Sequence, residues 1–148
     1  MEHSKESNRC RETERRLYRY KTLCGRIRDH RRDIEELNDM NFDALRRSSK
    51  SFVSMLKSGM RMDPQDAFEA QIGVLRSYLA VDEYEVRQIR RALRYVRDDP
   101  YYMSIEYKYF RNMTDEESSR AMKCSLSTVR RNRSRLLNRI CDALYGAG

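Results

Sequence analysis

The stretch Met113-Thr-Asp-Glu-Glu-Ser-Ser-Arg-Ala-Met-Lys-Cys-Ser-Leu-Ser-Thr-Val-Arg-Arg-Asn132 contains two helix starts. They fall about eleven residues apart, the spacing of a helix-turn-helix. Thr114 is placed to N-cap the first helix, and Glu117, three residues on, completes a capping box. Ser125 is placed to N-cap the second. Between them, Met122-Lys123-Cys124 offers one apolar anchor on each side of a tight turn, and the small Ser119 suits a steep helix crossing. Val129 anchors the second helix, and Leu136, Leu137, Ile140 and Leu144 continue its inner face at helical spacing.

The opposite face carries Ser127, Thr128, Arg130, Arg131, Ser134 and Arg135. From Ser118 to Ile140 there are seven basic residues (Arg120, Lys123, Arg130, Arg131, Arg133, Arg135, Arg139) and no acidic one. Such a face suits a major groove, with arginines for phosphates and guanine edges and hydroxyls for either. The start of the second helix reaches the bases, so Leu126, Ser127, Arg130 and Arg131 are the expected base-edge residues, Leu126 against a thymine methyl. Thr114, Arg120, Lys123, Thr128, Arg133, Ser134 and Arg135 are the expected phosphate contacts. The partner so implied is double-stranded DNA.

The run from Tyr102 to Gly146 resembles region 4 of the sigma-70 family and the related response-regulator-type helix-turn-helix. The likeness lies in Lys108-Tyr109-Phe110, Thr114-Asp115-Glu116-Glu117, Ser125, Ser127-Thr128-Val129-Arg130-Arg131 and Leu136-Leu137. Glu14-Arg15-Arg16-Leu17-Tyr18-Arg19-Tyr20-Lys21 resembles the start of small phage late-gene transcription regulators of the RinA/ArpU kind. The resemblance implies a regulator that binds beside a promoter and contacts RNA polymerase. Ser118 departs from it, standing where that family usually has Ile or Val. Leu126 departs too, standing where region 4 often has a polar or basic residue.

The rest of the chain is read against this segment. It has 148 residues, 36% of them charged, a net charge of +8 and a pI near 9.5. A basic excess without an apolar moment points to nucleic acid before a membrane surface. No run of about 20 apolar residues offers a membrane span. Met1 to Glu6 lacks the apolar core of a signal peptide, so a cytoplasmic protein is expected, and the resemblance implies a bacterial host cell and association with its nucleoid. Five Gly, two Pro and no Trp favour long helices. Cys10, Cys24, Cys124 and Cys141 form no C-x-x-C pair, and His3 and His30 are the only histidines, so neither a metal nor a cofactor is expected. The sequence offers no nucleophile elbow and no Gly-rich phosphate loop, and an enzyme is not expected.

Residues 1–11 are polar and expected to be disordered. A helix is expected from Glu12 to Leu37, with Leu17, Tyr20, Cys24, Ile27, Ile34 and Leu37 on one seam and Arg31 as its polar break. From Met1 to Met40 there are eleven basic and nine acidic residues, the mixed surface of a solvated helix. In residues 38–63, Phe42, Leu45, Phe52, Val53 and Leu56 suit one or two short helices, Ser48-Ser49-Lys50-Ser51 and Ser58-Gly59 read as loop, and the resemblance implies a variable linker. Asp63-Pro64 starts a helix to Arg97, with Ile72, Leu75, Leu79, Val86, Ile89, Leu93 and Val96 on a near-heptad seam interrupted by Asp82. The two long helices fold back as a hairpin, bringing Leu37 near Ile72 and Leu17 near Leu93, or pair with a second copy as a homodimer. Asp98-Asp99-Pro100 ends this 12–98 region. The remainder, 99–148, is the DNA-binding part, with Tyr102, Ile105, Tyr109 and Phe110 inward and Tyr101 and Tyr107 outward.

The expected fold is thus all-α, a long helical hairpin or coiled coil followed by a helix-turn-helix. The expected function is sequence-specific transcription regulation at phage or prophage late genes. The alternatives are a small terminase-like DNA-packaging protein and a coiled-coil adaptor without DNA binding.

Overall fold

A computed structural model describes residues 2–39 and 64–146. The chain is all-α, with no strand among the described residues. Helix α1 spans Glu2–Asp39 and α2 spans Pro64–Arg94. Helix α3, Met103–Ile105, runs directly into a π-helical turn, Glu106–Phe110. Helices α4, Asp115–Met122, and α5, Leu126–Tyr145, complete the order. The expected linker and the Asp63 cap lie outside the described residues.

Two helix ends differ from expectation. Helix α1 begins at Glu2, where disorder was expected as far as residue 11. Helix α2 ends at Arg94 and not at Arg97, because the chain tightens there. Tyr95 N–H donates to the Ala92 carbonyl at 3.2 Å, Val96 N–H to Leu93 at 3.1 Å and Asp99 N–H to Val96 at 3.1 Å. These i→i+3 bonds satisfy carbonyls of the last turn while Pro100 forbids its continuation.

The chain divides into two compact units, Met1–Leu23 with Glu85–Gly148, and Cys24–Tyr84. The boundary expected near Asp99 therefore falls inside the first unit.

In the first unit, Leu17 of α1 and Ile89, Ala92, Leu93 and Val96 of the α2 end form one core with Ile105, Tyr109, Leu136 and Ile140. Each such aliphatic side chain contributes about 1.5–3 kcal/mol when fully buried. The π-helical turn lets two consecutive aromatics pack. Arg111 N–H reaches back five residues to the Glu106 carbonyl at 3.0 Å, widening the coil. Tyr109 meets Tyr18 edge-on at 4.9 Å, and Phe110 meets Tyr20 at 5.1 Å. The buried Tyr109 hydroxyl donates to Glu14 Oε1 at 2.7 Å. Burial first, and then this bond, raise its pKa far above the usual phenol range, so it remains a donor. Arg16 grips Glu85 with two bonds, at 2.7 and 3.0 Å. Thr13 is fully buried, and its hydroxyl is satisfied by the Arg9 carbonyl at 2.9 Å. Tyr101, expected to point outward, packs part-buried against this core.

In the second unit, Leu37, Ala67 and Ile72 form a smaller core, joined by Phe68 and Leu75. Leu17 and Leu93 thus share one core, and Leu37 and Ile72 the other. Asp82, the polar residue in the α2 seam, is 3% exposed. Arg26 explains how it is tolerated. Its Nε donates to Asp82 Oδ2 at 2.9 Å, and its Nη2 bonds Oδ1. Arg31, the polar break of α1, donates to Glu83.

Arg26→Ala would leave the Asp82 carboxylate buried and unpaired. The expected loss is about 2 kcal/mol, below the 3–5 kcal/mol of fully enclosed pairs because half of the Arg26 side chain is in water. Arg26→Met combined with Asp82→Leu should recover most of it. Urea denaturation checks both, and a single variant as stable as the parent would contradict this account.

Candidate nucleic-acid interface

The geometry of Met113–Asn132 follows from three local devices. Thr114 is extended (φ −69°, ψ 164°), and its Oγ1 accepts from Glu117 N–H at 3.2 Å. Glu117 Oε2 accepts in return from Thr114 N–H at 2.7 Å, which closes the capping box and lowers the Glu117 pKa. Lys123 ends α4 in the left-handed region (φ 53°, ψ 43°), and the next N–H, of Cys124, donates to the Ser119 carbonyl at 3.2 Å. Ser125 then caps α5, its Oγ accepting from Thr128 N–H at 3.2 Å.

Ser119 does not fill the helix crossing. Its hydroxyl donates to the Cys124 carbonyl at 2.7 Å and ties the turn. The residue without exposure is Ser118, on the packed side of α4 as Val129 is on that of α5. The Ser118 hydroxyl has no hydrogen-bond partner among the described residues.

At the start of α5, the Ser125 hydroxyl lies 3.1 Å from that of Ser127 and 2.8 Å from that of Thr128. Ser127 and Ser134 are exposed, Thr128 and Leu126 half-buried. Arg131, one turn beyond Ser127, is exposed, and no ion pair or side-chain hydrogen bond engages it among the described residues. Arg120 and Lys123 are exposed beside the turn, and the Thr114 hydroxyl is occupied by its cap.

The remaining arginines of the expected set are held by carboxylates. Asp115 takes Arg130 Nε on Oδ2 and Arg133 Nη1 on Oδ1, both at 2.7 Å. Arg133 was expected at a phosphate, yet its side chain is only 13% exposed and acts as an internal strut. Arg130 keeps 60% of its side chain in water. Arg135 binds Asp99 with both terminal nitrogens, at 2.9 and 3.0 Å. Arg139 Nη2 donates to the Tyr95 carbonyl at 2.9 Å, and its Nη1 lies 3.9 Å from Asp99.

The hydrogen bond from Arg133, then that from Arg130, hold the Asp115 carboxyl at about 2. Arg135 likewise lowers Asp99. Asp99, read from the sequence only as part of a helix stop, thus also holds α5. The available signal was the density of arginine on α5, which needs anions from elsewhere in the chain.

The face as built presents hydroxyls and one unengaged guanidinium at a helix N-terminus, flanked by Arg120 and Lys123. This chemistry suits polar base edges and phosphates. Compared with protein-family models, with curated proteins and with solved structures, the chain gives no match.

Two outcomes follow from this geometry. Ser118→Ala removes a buried hydroxyl without a partner and should stabilise the fold by about 1 kcal/mol in urea denaturation. A loss would show that the hydroxyl is satisfied. The second outcome concerns pH. The folded Asp115 value is depressed to about 2, from an unfolded value of about 3.9. Its contribution is therefore present above about pH 4 and disappears as pH falls through about 2. The stability gap between the parent and Asp115→Asn should be widest above pH 4 and close toward pH 2. A gap constant over that range would contradict the assignment.

Proposed function

We propose that the chain is a sequence-specific, DNA-binding transcription regulator in which α4, its turn and α5 act as a helix-turn-helix. The first two turns of α5 enter the major groove. The observation that carries this reading is the placement of Ser127, Thr128 and Arg131 at the capped start of α5. They stand within a stretch free of acidic residues from Ser118 to Ile140. Arg131 and Ser127 read base edges, with Leu126 at their margin. Arg120 and Lys123 meet phosphates, and Arg130 joins them on the exposed part of its side chain.

The likeness to sigma region 4 and to late-gene regulators supports a place beside a promoter. There the protein acts with host RNA polymerase on phage or prophage late genes, as an activator.

The test is selection of bound sequences from a random duplex library, run with the parent protein and with Ser127→Ala/Arg131→Ala. The parent should enrich a motif, whose symmetry reports whether one or two copies bind. The variant should lose discrimination by about 1–3 kcal/mol for each bidentate base contact removed. A parent that enriches no motif would overturn the reading, as would a variant that enriches the same motif equally.

A further inference from the structure

A second basic surface lies on the same unit and is not used by the reader helix. Residues 86–97 read Val-Arg-Gln-Ile-Arg-Arg-Ala-Leu-Arg-Tyr-Val-Arg, with no acidic residue. Within them Ile89, Ala92, Leu93 and Val96 face the core. Arg87, Arg91 and Arg94, at i, i+4 and i+7, therefore share the outer face of α2, and all three are exposed. Among the described residues no carboxylate engages any of the three. Arg90 is different, since its Nε donates to the Tyr20 hydroxyl at 2.9 Å. Tyr95 stands one turn beyond Arg91 and is 64% exposed.

This surface is joined to α5. Arg131, Arg135 and Arg139 follow one another at four-residue intervals along α5, and Arg139 bonds the Tyr95 carbonyl at 2.9 Å. The end of α2 that carries the three arginines is thus tied to α5 through the Tyr95 carbonyl. Three guanidiniums in two turns of exposed helix, without carboxylates, repel one another unless an anion lies between them. An extended polyanion, with charges repeated along a line, fits a linear stripe better than a single small anion does.

We infer that Arg87, Arg91 and Arg94 form a second phosphate-binding stripe, which grips the backbone of duplex DNA flanking the site read by α5. The inference rests on the DNA-binding reading above and extends it from base readout to the length of duplex engaged. The stripe adds affinity and salt dependence without adding sequence information.

The test is a salt titration of binding to the selected duplex and to a duplex shortened to the motif alone. It compares the full chain with Arg87→Gln/Arg91→Gln/Arg94→Gln and with the corresponding triple lysine variant. Circular dichroism melts confirm that each is folded. Neutralising three phosphate contacts should lower the slope of log K against log salt by about 2 to 3. The selected motif should be unchanged, the lysine variant should retain the parent slope, and the shortened duplex should abolish the difference between parent and glutamine variant. A glutamine variant with the parent slope on the long duplex would overturn the inference while leaving the reader helix intact. Equal losses for lysine and glutamine would also overturn it, by showing that packing and not charge is responsible. Binding of poly-glutamate as tight as that of duplex, and lost in the glutamine variant, would assign the stripe to an acidic protein surface instead. A parent that binds no duplex at all would remove both the function proposed above and this extension of it.

Discussion

Asp99 and Asp115 each collect two arginines from α5, and the disposition of the C-terminal helices depends on that neutralisation. Between positions 130 and 139 the helix carries five arginines, at 130, 131, 133, 135 and 139. Like charges at helical neighbour spacing destabilise the helix that bears them. Neither aspartate belongs to α5. Asp115 opens α4, and Asp99 lies in the turn after α2. Relieving the repulsion therefore also fixes α5 against both neighbours. The Asp115 carboxylate does the larger share, because it closes on the nearly enclosed Arg133 as well as on Arg130.

The same arrangement sorts the arginines by task. Arg133 and Arg135, bound to carboxylates, have lost much of their rotamer freedom and act as struts. Arg131 is left over, beside the hydroxyls gathered around Ser125. A donor on a capped helix end, positioned by its backbone and not by an ion pair, meets a ligand without first breaking an internal bond. The gain lies in the bond that need not be broken, and it is offset by the rotamer freedom that Arg131 gives up when a ligand orders it.

The sequence was most legible where chemistry is local. Thr114, Glu117 and Ser125 announce two caps through residue type and spacing alone, and the structure realises each bond. Val129, Leu136 and Ile140 follow from a period of 3.6. Pairings across long separations were less visible. Nothing local links Arg16 to Glu85, Arg26 to Asp82 or Glu14 to Tyr109, and each depends on where the helices come to rest. The heptad pattern gave the seams but not the role of Asp82, which reads as an interruption until Arg26 is opposite it. The π-helical turn was also hidden, because no distinctive residue in Glu106–Phe110 announces it. For the candidate interface, the pattern could not tell a strut such as Arg133 from an unengaged donor such as Arg131.

The composition of the first unit's core bears on how such a protein can change over time. Of its members, Leu17, Ile89, Ala92, Leu93 and Val96 precede Asp99, while Ile105, Tyr109, Leu136 and Ile140 follow it. A recombination event that joined residues 99–148 to another protein would transfer the caps, the turn and α5, but would leave behind the apolar surfaces on which they rest. The recipient would need its own substitutes for Leu17 and for the end of α2. Residues 99–148 moved alone would therefore expose Ile105, Tyr109, Leu136 and Ile140 to water.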